Sequence, residues 1–255
     1  MHAENGKSLE TGVIAHALSA SCYRVTFTAA QRLDLPAYLG STLRGAFGRA
    51  FRGLACPSRI GEPCPIPSQC PYHLIFESSP PPDSDALRTH EEIPRPFVIA
   101  PEWRLGPEGR DARLVYEPGQ ELSFGLILIG RAQEFFPHFV VALREMDRIG
   151  RGRRAIELTR IEASDLWDTS TRMVYDVGDN VVRGIGSPLT LADCAREPIP
   201  RSPVTIEFVT QTRLKHEGSW TAFPSFTSCS AASWAGSHLW RGSIVAFRST
   251  WISRA

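Results

Sequence analysis

Cys56, Cys64, Cys70 and His73 follow one another with the spacing C-x7-C-x5-C-x2-H. Three thiolates and an imidazole are a donor set for a tetrahedral zinc ion, with bonds of about 2.3 Å to sulfur and about 2.0 Å to nitrogen. The spacing holds no paired C-x-x-C knuckle, so two readings stand: a structural zinc site, or unligated thiols. A second group is RIGRGRR (148–154). Gly150 and Gly152 let the backbone come close to a ligand, and Arg148, Arg151, Arg153 and Arg154 surround them. Such a loop can offer backbone N–H groups and guanidinium forks to phosphates. The same residues also describe a glycine helix cap beside solvated charges.

Two further groups carry charge. Arg44, Arg49 and Arg52 lie in one apolar-periodic segment with Arg59 beyond it, and no acidic residue falls between positions 35 and 61. Unopposed arginines attract a polyanion by counterion release, or they simply face solvent. In RLKHEG (213–218), His216 stands beside Lys215. An imidazole with a cationic neighbour can serve as general base or acid, while a lone exposed histidine is more often inert. His16, His73 and His138 are the other histidines weighed for such a role. The chain shows no Ser-His-Asp order, P-loop or paired-carboxylate motif.

The elements that must hold these groups follow from periodicity. YRVTFT (23–28) alternates apolar and polar residues, as a strand does. In LPAYLGSTLRGAFGRAFRGLAC (35–56), Leu39, Leu43, Phe47 and Phe51 recur every four residues, with Ala46, Ala50 and Leu54 broadening the face. That pattern predicts a helix. Gly45 and Gly48 weaken it by about 1 kcal/mol each relative to Ala. A long Pro-, Cys- and Ser-rich connection (56–95) is interrupted by YHLIFE. RPFVIAP (95–101) and QELSFGLILIG (120–130) read as strands, the second with a continuous apolar end typical of a central position. EFFPHFVVALREMDRIG (134–150) predicts a helix with Phe135, Phe139, Val140, Leu143 and Met146 on one face and Gly150 as its cap. AIELTRIEA (155–163) alternates as a further strand. The order β-α-β-β-α-β is the split unit of a ferredoxin-like fold. SPVTIEFVTQTRLKHEG (202–218) restarts the pattern.

With 42% hydrophobic and 22% charged residues, the 255-residue chain has the composition of a packed globular protein rather than a disordered one. A net charge of +1 supplies no global field for nucleic acid. All but two of the 28 basic residues are arginine, whose planar fork suits phosphates, although a GC-rich gene gives the same bias. No secretory leader and no run of about 20 apolar residues is apparent, so a cytoplasmic protein with reduced cysteines and no membrane partner is expected.

Several stretches together resemble a known family. STLRGAFGRAFRGLAC, the cysteines leading into CPYHLIFE, IPRPFVIAP, FGLILIGRAQEFFPHFVVALREM, GRGRRAIELTRI and TIEFVTQTRLKHEG are similar, in order and spacing, to the pre-crRNA-processing endoribonucleases of CRISPR systems. These belong to the RAMP superfamily of RNA-binding proteins. The resemblance spans roughly residues 20–225. It implies an α+β fold of tandem ferredoxin-like (RAMP) domains that bind CRISPR repeat RNA. It also implies cleavage without a metal ion, in which the RNA's own 2′-hydroxyl attacks the adjacent phosphate and leaves a 2′,3′-cyclic phosphate and a 5′-hydroxyl. Histidine, tyrosine, lysine or arginine side chains supply base, acid and charge stabilisation in such a reaction. The glycine-rich loop of the family matches Gly150 and Gly152. Family members often carry a further cysteine between positions 64 and 70, where this chain has Pro67. Two other readings are a non-catalytic RAMP subunit binding crRNA in an effector complex, and a zinc-stabilised structural module with no RNA role.

The expected organisation is a lead-in (1–20), a first ferredoxin-like domain (21–165), a connecting segment (166–200), an incomplete second domain (201–226) and an aberrant tail (227–255). The tail holds three of the six tryptophans and no Asp, Glu, Lys or Pro. The resemblance implies a helix, further strands and a second glycine-rich loop after LKHEG, and none is legible there. Permitted codons after Phe226, read one base back, can spell an amphipathic helix and a polar turn. The tail is therefore expected to be frameshifted translation of a gene whose product processes crRNA, leaving this chain's own activity in doubt. The other reading is a genuine divergent tail.

Overall fold

The computed structural model describes residues 19–59, 61–77, 94–101, 113–164, 170–196, 214–216 and 219–221. The chain divides into two compact units. The first comprises Met1–Glu77 and Pro96–Glu197, the second Ser78–Arg95 and Pro198–Ala255.

In the first unit, β1 (Ser19–Ala29) is followed by β2 (Leu33–Pro36), α1 (Gly40–Ala55) and α2 (Pro71–Phe76). Next come β3 (Phe97–Pro101), β4 (Arg113–Tyr116), β5 (Glu121–Ile129), a 3₁₀ turn (Gly130–Phe135) and α3 (Phe136–Arg144). The unit closes with β6 (Arg148–Ile149), β7 (Arg154–Ser164), β8 (Thr171–Asp176), β9 (Val181–Val182), β10 (Leu189–Thr190) and α4 (Leu191–Arg196). The main sheet runs β3-β5-β1-β7-β8-β9 and is antiparallel throughout. Its first four strands with α1 and α3 follow the anticipated β-α-β-β-α-β order, and β1, the first strand in the chain, lies between β5 and β7. The sheet continues beyond residue 165, because β8 pairs with β7 and β10 with the start of β1.

One face of the sheet is apolar. Tyr23, Val25 and Phe27 of β1 and Leu122, Phe124, Leu126 and Leu128 of β5 are buried at alternate positions. In β7 the buried residues are Ile156, Leu158, Ile161 and Ala163, so the period of two breaks after Leu158. A bulge absorbs the break: Phe27 pairs with Leu158 and Thr26 with Arg160, which skips Thr159.

Phe47 of α1 is the hub of the core. Its ring centroid lies 5.4 Å from Phe139, 5.7 Å from Phe76 and 5.9 Å from Phe97. Leu39, Leu43, Ala46 and Phe51 share its buried face as the spacing predicts, whereas Leu54 is exposed. Gly48 has a packing reason, since a Cβ there would stand 3.3 Å from the Phe76 ring. α1 ends at Cys56, whose extended backbone precedes Pro57, a residue that cannot continue a helix.

Three sequence expectations are corrected. Leu35 and Pro36 belong to strand β2, not to the first helix: β2 pairs with β4, and Arg113 Nε donates to Asp34 Oδ1 at 2.7 Å. The helix expected over 134–150 is a 3₁₀ turn followed by α3, which stops at Arg144. Gly150 is therefore not a helix cap but part of the turn between β6 and β7.

In the second unit the described strands are β11 (Leu214–His216) and β12 (Ser219–Thr221), an antiparallel pair with Lys215 opposite Trp220 and His216 opposite Ser219. The rest of the expected strand over 202–218, the lead-in before residue 19 and the tail from 227 lie outside the described residues.

Candidate metal centre and nucleic-acid interface

Cys56 caps the C-terminus of α1, and Cys70 caps the N-terminus of α2 with Pro71 fixing the first helical turn. His73 sits one turn into α2 on the same side as Cys70. The loop between the helices turns back so that Cys64 joins them. The ligand atoms of Cys56, Cys64, Cys70 and His73 all lie within 4.8 Å of one another. Zn–S bonds of about 2.3 Å give a tetrahedron with edges of roughly 3.8 Å, so four donors at this separation can close on one ion. Cys56 and Cys70 are buried, Cys64 and His73 half-buried. The group can hold a metal ion such as zinc, and it supplies four ligands without a cysteine at Pro67.

The thiols differ in acidity. The Ser58 backbone N–H holds the Cys56 thiol below its ordinary value, helped by the two other thiols and the Arg52 charge. Burial pushes Cys70 up. His73 Nδ1 lies 3.0 Å from Glu77 Oε2, one helical turn on. A carboxylate on one ring nitrogen fixes the imidazole's tautomer and turns the other nitrogen toward a metal. Glu77 was not singled out from the sequence, although the i, i+4 spacing of His73 and Glu77 on a helix was the available signal.

The arginines of α1 part company. Arg52 is drawn into the cysteine corner, with its guanidinium 5.2 Å from the Tyr72 ring centroid and Nη2 donating to the Arg59 carbonyl at 3.2 Å. Arg44 lies 5.5 Å from the Phe97 ring centroid. Arg49 is exposed.

The turn at 150–153 joins β6 to β7. Gly150 has φ +74° and Arg153 φ +46°, and Arg153 N–H closes the turn on the Gly150 carbonyl at 3.1 Å. A Cβ on Gly150 would meet Leu35 Cδ2 at 2.8 Å, so glycine lets the turn sit directly on the core. Arg148, Arg151, Gly152, Arg153 and Arg154 are all exposed. Arg148 reaches Asp147 at 3.4 Å and also donates to the Arg153 carbonyl. Lys215 and His216 fall in the β11–β12 pair of the second unit.

A family model described as AF_1859_N, N-terminal domain, matches residues 18–185. The chain belongs to this family. The AF_1859_N match opens one residue before β1 and runs past β9, so it takes in the cysteine corner and the arginine turn but not Lys215 or His216. No curated protein matches the chain. No helix among the described residues is long and apolar enough to cross a membrane.

Proposed function

We propose that this AF_1859_N-family chain is a RAMP-type RNA-binding protein derived from the pre-crRNA-processing endoribonucleases of CRISPR systems. The observation that carries this reading is the exposed arginine–glycine turn over residues 150–153, seated on an antiparallel sheet in β-α-β-β-α-β order. That order with β1 between β5 and β7 is ferredoxin-like, and a second domain of the same kind would complete the tandem arrangement. Arg151, Arg153 and Arg154 would grip the phosphates of a CRISPR repeat RNA, with Arg44 and Arg49 extending the path. Lys215 and His216 are the residues we assign to cleavage: the imidazole takes the proton of the attacking 2′-hydroxyl, the ammonium stabilises the charge on the phosphate, and as the P–O5′ bond breaks the imidazolium returns the proton to the departing 5′-oxygen. The products are a 2′,3′-cyclic phosphate and a 5′-hydroxyl, and no metal takes part. Zinc held by Cys56, Cys64, Cys70 and His73 would be structural, tying α1 to α2.

Repeat RNA with and without a 2′-deoxy substitution at the cleavage site tests this. Binding of both, with cutting of the unmodified RNA alone, is expected of the nuclease. Absence of binding to either would end the RNA reading. A second reading is a non-catalytic crRNA-binding subunit of an effector complex working in the cytoplasm. It is favoured by the placement of the arginine turn in the first unit and of Lys215 and His216 in the second, since binding needs the first alone. Binding of both RNAs without cleavage of either is its signature.

A further inference from the structure

Arg52 looks from the sequence like one more phosphate-binding arginine, but its surroundings are those of the cysteine corner. Its guanidinium stands over Tyr72, donates to the Arg59 carbonyl within the loop that carries Cys64, and lies 3.9 Å from Glu77 Oε1. Its side chain is only 21% exposed, and Nε is buried with no acceptor among the described residues. Glu77 in turn holds His73 through its other carboxylate oxygen, Oε2. Arg52, Glu77 and His73 thus form one chain of polar contacts that ends on a metal ligand. Tyr72, between Cys70 and His73, stacks on Phe76 at 5.2 Å and so anchors the platform under Arg52 in the core.

Charge gives this chain a purpose. A zinc ion bound to three thiolates and a neutral imidazole carries a net charge of −1, and the Glu77 carboxylate adds another. Placing such charge in a half-buried corner is costly unless a cation faces it. Arg52 is the cation in contact with this corner, and its hydrogen bond to Arg59 also fixes the loop that must bring Cys64 to the other ligands.

We infer that Arg52 and Glu77 are positioning residues of the Cys56–Cys64–Cys70–His73 metal centre, and that Arg52 serves this centre rather than RNA. The inference rests on the structural-zinc reading. Groups that orient ligands in this way typically change metal affinity by about 10- to 100-fold when removed.

Zinc affinity is measured by competition with a chromogenic chelator, on the full chain and on two variants. Arg52→Met keeps the stem over Tyr72 without the charge. Glu77→Gln keeps an acceptor for His73 at a surface position, so it remains informative if the first variant folds poorly. Cobalt substitution follows the ligand geometry by its visible spectrum, and the salt dependence of repeat-RNA binding is measured alongside. Expected are a drop of about 10- to 100-fold in zinc affinity for each variant, an altered cobalt spectrum, and an unchanged salt slope. Two outcomes overturn the inference while leaving the zinc reading intact: wild-type zinc affinity in both variants, or a salt slope that falls by about 0.7 in Arg52→Met. Failure of the wild-type chain to take up one equivalent of zinc defeats the zinc reading, and the inference with it.

Discussion

Leu35 Cδ2 lies 2.8 Å from the point where a side chain on Gly150 would begin. A short strand and a basic turn more than a hundred positions apart in the chain are thereby pressed together, and the turn inherits its shape from the core. Gly150→Ala must strain the left-handed backbone and push Leu35 aside. The expected loss is about 1–3 kcal/mol of stability, read as a lower urea midpoint with an unchanged slope.

Phe47 meets four other aromatic rings, among them Phe51 at 5.6 Å. Phe47→Ala leaves a cavity at the junction of α1, α2, α3 and β3. A destabilisation of about 3–5 kcal/mol is expected in chemical denaturation. A loss below 1 kcal/mol would mean that this cluster does not hold the first unit together.

Arg160 grips Glu121 with two parallel hydrogen bonds, at 2.6 and 2.9 Å. The guanidinium holds the Glu121 carboxyl below its usual range. The unfolded chain therefore takes up this proton at higher pH than the folded one. The pair's contribution is present above the unfolded value of about 4.3 and is lost as pH falls through the folded value. The difference in urea midpoint between wild type and Glu121→Gln should be constant near neutrality and should shrink as pH falls below the unfolded value. The pair is partly exposed, so the difference is small and shrinks in high salt.

Arg151 in the turn and Arg154 at the start of β7 are both exposed. If both contact phosphates, replacing both with alanine lowers the slope of log affinity against log salt by about 1.4 for single-stranded repeat RNA. Thermal stability should stay within about 0.5 kcal/mol per residue. An unchanged slope places the RNA elsewhere.

Zinc bound to the folded chain stabilises it by mass action. At free zinc 100-fold above Kd the gain is about 2.7 kcal/mol, which corresponds to roughly 5–10 °C in Tm for a chain of this size. A strong chelator should remove that increment and zinc should restore it. In Cys56→Ser the chelator should have little left to remove.

The sequence determined the elements whose apolar spacing is regular. The four-residue repeat from Leu39 to Phe51 became the buried stripe of α1, and the alternation in 23–28 and the apolar run in 120–130 became the inner strands β1 and β5. These patterns are local, and burial of one face is enough to enforce them. It also supplied the donor types at Cys56, Cys64, Cys70 and His73. Only the tertiary structure decided what depends on distant partners. Leu33–Pro36 became a strand because Arg113–Tyr116 arrived to pair with it, and that pairing overrode the helix reading of Leu35. Gly150 became a hairpin residue because β6 pairs with β7 before any helix could reach it. The spacing C-x7-C-x5-C-x2-H left both zinc and free thiols open; the helix ends at Cys56 and Cys70, held by Phe47, Phe51 and Phe76, are what bring the four donors within reach of one ion. Arg44, Arg49 and Arg52 are alike in sequence, and their fates diverge because a ring lies under Arg44 and Arg52 while Arg49 faces solvent.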